Sequence, residues 1–175
     1  MLIRSTILLI FLFSSIVGMS QNNIDKDSVQ YYFTKILNNY RQSNGLSNIK
    51  LNDKLKQFSD DHAKYMATIN RVTHGENEYS FHNRFNKNFV GYGGENCSEV
   101  LISKNIRSNF NNLNVVLDKI TTQGITNELF AQYTFLTWKN SNSHNKFLLD
   151  KEVTCFYLSY EKVKNTYYLE YFAMK

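Results

Sequence analysis

Val29, Phe33, Ile36, Leu37 and Tyr40 recur at three- and four-residue intervals, which makes one apolar stripe along a first helix. Asp25 or Asp27 can cap its start, and Ser43-Asn44-Gly45 ends it near residue 42, with Gly45 suited to a left-handed terminator. Residues 46–51 cross over. Asn52 or Asp53 then caps a second helix reaching residue 69, with Leu55, Phe58, Ser59, His62 and Met66 on its inner face. Residues 71–94 read as a long polar connection carrying a short helical turn at 81–85, and connections of that length in compact domains are often functional. A strand is expected over 97–102, a short helix over 115–120 after an asparagine-rich run, and a further helix over 128–139. The stretch from Trp138 to Leu149 brings another histidine behind the lone tryptophan. Residues 153–160 and 166–173 are rich in aromatic and β-branched side chains, so they form two strands joined as a terminal hairpin by 162–165. Helices first and a hairpin last make an α+β domain.

Residues 1–20 do not fit that domain. Arg4 gives a short positive region, an apolar run follows from Thr6 to Val17, and Gly18-Met19-Ser20 offers small residues for cleavage before Gln21. This is the pattern of a secretory signal peptide. It leaves a single domain at 21–175, exported to the periplasm or the exterior and without stable membrane insertion after cleavage. Of 20 Lys+Arg and 15 Asp+Glu, cleavage removes only Arg4, which leaves a formal charge of 19 − 15 = +4. The basic residues are scattered rather than clustered, so nucleic acid is not an expected partner. Cys97 and Cys155 allow one disulfide in an exported chain, or two separate buried thiols.

The candidate chemistry rests on histidines and one glutamate. His62 lies on the buried stripe of the second helix, where a hydrogen-bonded packing role is expected, and His82 lies in the polar connection, where solvent is expected. His74 and His144 each sit at a loop edge beside a helix-like segment. Glu95 follows Gly93-Gly94, which let the backbone turn tightly, and precedes Asn96, which can fix the turn. A carboxylate so held suits ligand or base work, or the capping of a neighbouring amide; Glu99 competes for the acidic role. Two imidazoles and a carboxylate would make a three-ligand zinc site with an open position. The spacings of 21 residues (74 to 95) and 49 (95 to 144) mean that only the fold could assemble it. No serine sits in a Gly-x-Ser-x-Gly elbow, and Cys97 with His144 is the weaker nucleophilic pairing.

In order along the chain stand Arg41 with Gly45-Leu46, Leu51, Leu55, His62-Ala63, Met66, His74, Arg84, Gly94-Glu95-Asn96, Trp138 with Ser141 and His144, and a final Tyr171-Phe172. Over 28–172 this series resembles the CAP superfamily, or SCP domain, of cysteine-rich secretory, antigen 5 and pathogenesis-related proteins. Within it the likeness is to the bacterial exported branch, whose Trp-x-x-Ser-x-x-His-Arg pattern is matched except for Asn145 in place of arginine. The resemblance implies an α-β-α sandwich with a central antiparallel sheet. It also implies a cleft where His74, Glu95 and His144 meet, which in some members holds zinc or another divalent cation. Many animal and plant members carry a second glutamate, and its position here looks like Ser141, so the acidic set is incomplete. Both cysteines fall on segments that the resemblance assigns to the central sheet, which favours their pairing.

Three functions follow as expectations. One is a non-enzymatic binding domain for a small molecule, lipid, peptide, surface polymer or divalent metal. The second is a zinc-dependent hydrolase with Glu95 or a metal-bound water as base and His74 and His144 as ligands. The third is a structural envelope protein. Ligand identity does not follow from the fold.

Overall fold

The computed structural model describes residues 24–103 and 105–175, so the expected signal segment lies outside the described residues. Helix α1 (Lys26–Ser43) starts at Asp25, whose side chain accepts from the Ser28 amide, and ends before Gly45 at φ 72°. Strand β1 (Lys50–Leu51) follows, then a 3-10 turn (Asp53–Leu55) capped by Asn52, and helix α2 (Lys56–Ile69), which Asn70 closes in the left-handed region. Helix α3 (Phe81–Asn88), strand β2 (Gly93–Leu101) and helices α4 (Asn111–Gln123), α5 (Asn127–Lys139) and α6 (Asn142–Leu148) lead to the hairpin β3 (Cys155–Val163) and β4 (Thr166–Met174).

The four strands lie in the order β1-β3-β4-β2. β2, β4 and β3 are antiparallel neighbours, while the two residues of β1 run parallel to β3. Alternation along the strands divides the core. Phe156, Leu158, Leu169 and Tyr171 face a cluster with Val29, Phe33 and Leu37 of α1 and Phe130 and Trp138 of α5. Tyr157 and Phe172 face Leu55 and Phe85, and Cys97 and Tyr168 face Met66 and Ala67 of α2. Helices therefore cover both faces, as an α-β-α sandwich requires.

Helix α5 ends at Lys139, where the helix expected over 128–139 stops, and the short helix α6 follows it. One expectation needs correction. The cysteines are unpaired, Cys97 buried and Cys155 partly so. Cys97 is level with Glu170 and Cys155 with Met174, on strands separated by β4. Two strand spacings and a four-residue offset put their Cα atoms roughly 16 Å apart, beyond the ~7 Å a disulfide spans. Membership of one sheet is compatible with pairing only for adjacent or near-level positions.

Candidate functional site

The site is built on the first residues of β2. A Cβ on Gly93 would lie 2.5 Å from Cε2 of Phe85, and one on Gly94 would lie 2.8 Å from the Phe147 ring. The glycines are thus inside the strand rather than in a turn before it. Their bareness lets α3 close on one face and α6 on the other. Asn96 secures α6 by donating Nδ2 to the His144 carbonyl at 3.0 Å. Arg41, 1% exposed, anchors the far end of α6 through Nη1 to the Leu148 and Asp150 carbonyls at 2.8 and 2.9 Å.

Glu95 points to the α2 face, with its side chain only 2% exposed. Its Oε1 lies 3.0 Å from Nδ1 of His74, and its Oε2 accepts from an Arg84 Nη2 at 2.7 Å. The same guanidinium gives Nη1 to Glu76 at 3.2 Å, and Glu76 lies 2.9 Å from Nδ1 of the fully buried His62. The other His62 nitrogen is 2.8 Å from the Thr73 carbonyl. Arg84 thus joins two His–Glu pairs, which fixes the turn after α2 against α3 and β2.

Glu170 of β4 lies on the same face, opposite Cys97, and is fully buried with neither oxygen satisfied by a protein donor when ionised. Burial and then the Glu95 charge raise its pKa well above the usual carboxylate range. Burial pushes Glu95 the same way, but the bonds from His74 and Glu170 and the charge of Arg84 outweigh it and hold Glu95 low. Glu170 therefore keeps the proton, and its O–H faces the ionised Glu95. Burial, followed by the Glu95 charge, raises the Cys97 thiol well above its ordinary pKa, which disfavours a thiolate.

His74 is more than half exposed, its ring pKa raised chiefly by the bond to Glu95. His144, half-buried in α6, is shifted down by burial and by the charge of His74. β2 is an outer strand of the sheet; Glu95 of this strand holds the His74 ring, and Asn96, the next residue, holds the His144 backbone of α6. His82 is exposed, and Ser141 is the N-cap residue of α6, its Oγ 3.3 Å from that of Ser143.

Such an order of elements, with a Gly-Glu-Asn strand start clasped by an arginine and a histidine, matches a known family. The family model for cysteine-rich secretory proteins, CAP, matches residues 34–174. The chain belongs to the CAP family. Among solved structures, the CAP domain here is similar to an outer surface protein from Borrelia burgdorferi, with TM-score 0.61 and 15% identity over 87% of this chain and 96% of that one. It is also similar to an extracellular protein containing an SCP domain from Bacillus anthracis, with TM-score 0.56 and 18% identity over 89% of this chain. This chain spans 43% of that protein's length. At these identities the likeness shows the CAP fold alone. No curated protein matches the chain in sequence. No helix among the described residues is long and apolar enough to cross a membrane.

The donors can be tested against the divalent cation that some CAP members hold. Among the described residues, the His, Cys, Asp and Glu set whose ligand atoms all lie within 4.8 Å of one another is His62, Glu95 and Cys97, not His74, Glu95 and His144. A metal in the former set would have to displace a His62 hydrogen bond and ionise a buried thiol. In the latter, both Glu95 oxygens already accept bonds, and Ser141 offers only a neutral hydroxyl. The His74 ring is oriented through Nδ1 by Glu95, which leaves Nε2 on the side away from that bond, and burial lowers the pKa of His144.

Two participants escaped the sequence reading. Glu170 is the lone charge in the run Tyr167-Tyr168-Leu169-Glu170-Tyr171-Phe172-Ala173, and an ionisable residue inside an otherwise apolar central strand was the available signal. Glu76 gave no comparable signal, because acids are ordinary in polar loops.

Proposed function

We propose that this CAP domain is an exported, non-enzymatic binding protein whose ligand sits at the β2 edge between His74 and His144. One observation carries the reading. Glu95, the residue a hydrolytic mechanism would use as base, accepts from His74 and Arg84 and faces the Glu170 hydroxyl, so its basicity is spent on holding His74. The group presented outward is an imidazole with a raised pKa, beside a second imidazole that stays neutral. That pair suits recognition of a polar or anionic group on a peptide, lipid or surface polymer, or shared coordination of a divalent metal.

Calorimetric titration of the purified protein with zinc tests the site, repeated with His74→Ala and His144→Ala. Saturable binding lost in both variants is the expected result. Equal heats in the wild type and both variants would remove the metal from the reading and send the search to organic ligands. Zinc-dependent ester or peptide turnover that disappears in His74→Ala would overturn the non-enzymatic assignment.

A further inference from the structure

A second recess lies behind the Arg84–Glu76 pair. It is a groove of about 430 Å³ between α2 and α3, within the size range of small-ligand sites. Phe58 and Phe89 line it, their rings 5.3 Å apart between centroids at an interplanar angle of 80°, and Tyr79 lines it too. Lys54 and Lys87 also line the groove; the Lys87 ammonium sits 3.6 Å from the Tyr79 ring centroid.

The charges in this groove are unequally committed. Asp61 accepts from Gln57 Nε2 at 2.7 Å, and Glu76 is held by both His62 and Arg84. Neither lysine is in an ion pair among the described residues. Arg84, 7% exposed and stacked with its guanidinium carbon 4.9 Å from the Phe58 centroid, keeps a buried Nε–H without a partner among the described residues. Aromatic walls beside two ammonium groups in no ion pair, with the Arg84 guanidinium beneath, are complementary to an acid carried on an apolar body.

We propose that the α2–α3 groove is a second binding site, distinct from the His74–His144 edge, for a small organic anion with a flat apolar body. The body packs against the edge-to-face pair Phe58 and Phe89, and the acid is held by Lys54 and Lys87 with Arg84 behind them.

The probe is 8-anilinonaphthalene-1-sulfonate, followed by fluorescence on the purified protein, with uncharged N-phenyl-1-naphthylamine as the same body without the acid. Both lysines are exposed, so Lys54→Glu with Lys87→Glu leaves the core intact. The expected result is saturable 1:1 sulfonate binding weakened about tenfold or more by the double charge reversal, as loss of charge-assisted bonds implies. The neutral probe should bind weakly and ignore the reversal, and His74→Ala should leave sulfonate affinity unchanged. Affinity unaltered by the double reversal, equal binding of the neutral probe, or loss of binding in His74→Ala instead would overturn the proposal. These outcomes are independent of the zinc titration, so either site can fail without the other.

Discussion

Replacing Arg84 by methionine would remove the cation from beneath two carboxylates while keeping most of the side-chain volume. The Arg84–Glu95 pair is 2.7 Å long, with side-chain exposures of 7% and 2%. Breaking a buried pair by deleting one partner costs about 3–5 kcal/mol, because the remaining charge is left uncompensated. The Glu76 arm adds little, since that carboxylate is 26% exposed and water can replace the guanidinium. For a domain of this size the loss lowers Tm by about 6–20 °C. The cost also depends on pH. Glu95 is held low in the native state, so it contributes stability above its unfolded pKa that is lost as pH falls through the native one. Arg84→Met removes one cause of that depression, and its penalty should therefore grow from about pH 4 to pH 7. Urea and thermal unfolding followed by far-UV circular dichroism would read both effects. Adding Glu95→Gln to Arg84→Met should recover part of the loss, with a coupling energy of at least about 1 kcal/mol. A single-variant cost below about 1 kcal/mol, or strict additivity in the cycle, would refute the buried-charge reasoning and reduce the pair to a surface contact.

Glu170→Gln mimics the protonated acid, so it should be close to neutral at pH 4–5 and stabilising relative to wild type at higher pH. A carboxyl whose native pKa is raised costs stability progressively as pH climbs above the unfolded value, and urea unfolding at several pH values checks this. Nitrogen-detected imidazole NMR should show His74 titrating above 6.5 and His144 below it, and Glu95→Gln should move His74 downward. Through linkage, the His74 bond then supports the fold below its unfolded pKa and is lost as pH rises through the native one. Gly94→Ala would drive a methyl to within 2.8 Å of the Phe147 ring, lower stability by about 1–3 kcal/mol and shift the Asn96 and His144 amide resonances in a proton–nitrogen spectrum.

The helices of the fold were legible wherever an apolar stripe met a cap. α1 begins at Asp25 and ends before Gly45, and the second helical segment starts from Asn52, because those side chains act on their own local backbone. The terminal hairpin was equally plain from its aromatic alternation. Helix α6 and strand β1 were missed because seven and two residues are too few to display a period. The unpaired thiols illustrate a second limit: Cys97 and Cys155 belong to one sheet, but strand order and register decide whether they meet, and neither is written in local pattern. His74, Arg84, Glu95 and His144 were singled out through their order along the chain. The placing of Glu170 on the face that Glu95 occupies depends on β4 lying beside β2, some 70 residues away.

That strand order has a consequence for how the molecule comes into being. β4 is the last strand in the sequence and a middle strand of the sheet, and β2 joins β3 only through it. A chain delivered from its amino end can form α1, α2 and their local turns early. The sheet, and with it the Glu95–Glu170 contact beneath His74, closes only when residues 166–174 arrive. Pairing β2 with β4 carries a large loop-closure cost and is a slow step of the kind that high contact order predicts. The sheet is therefore incomplete until its last strand is available, so the site can form only late in folding.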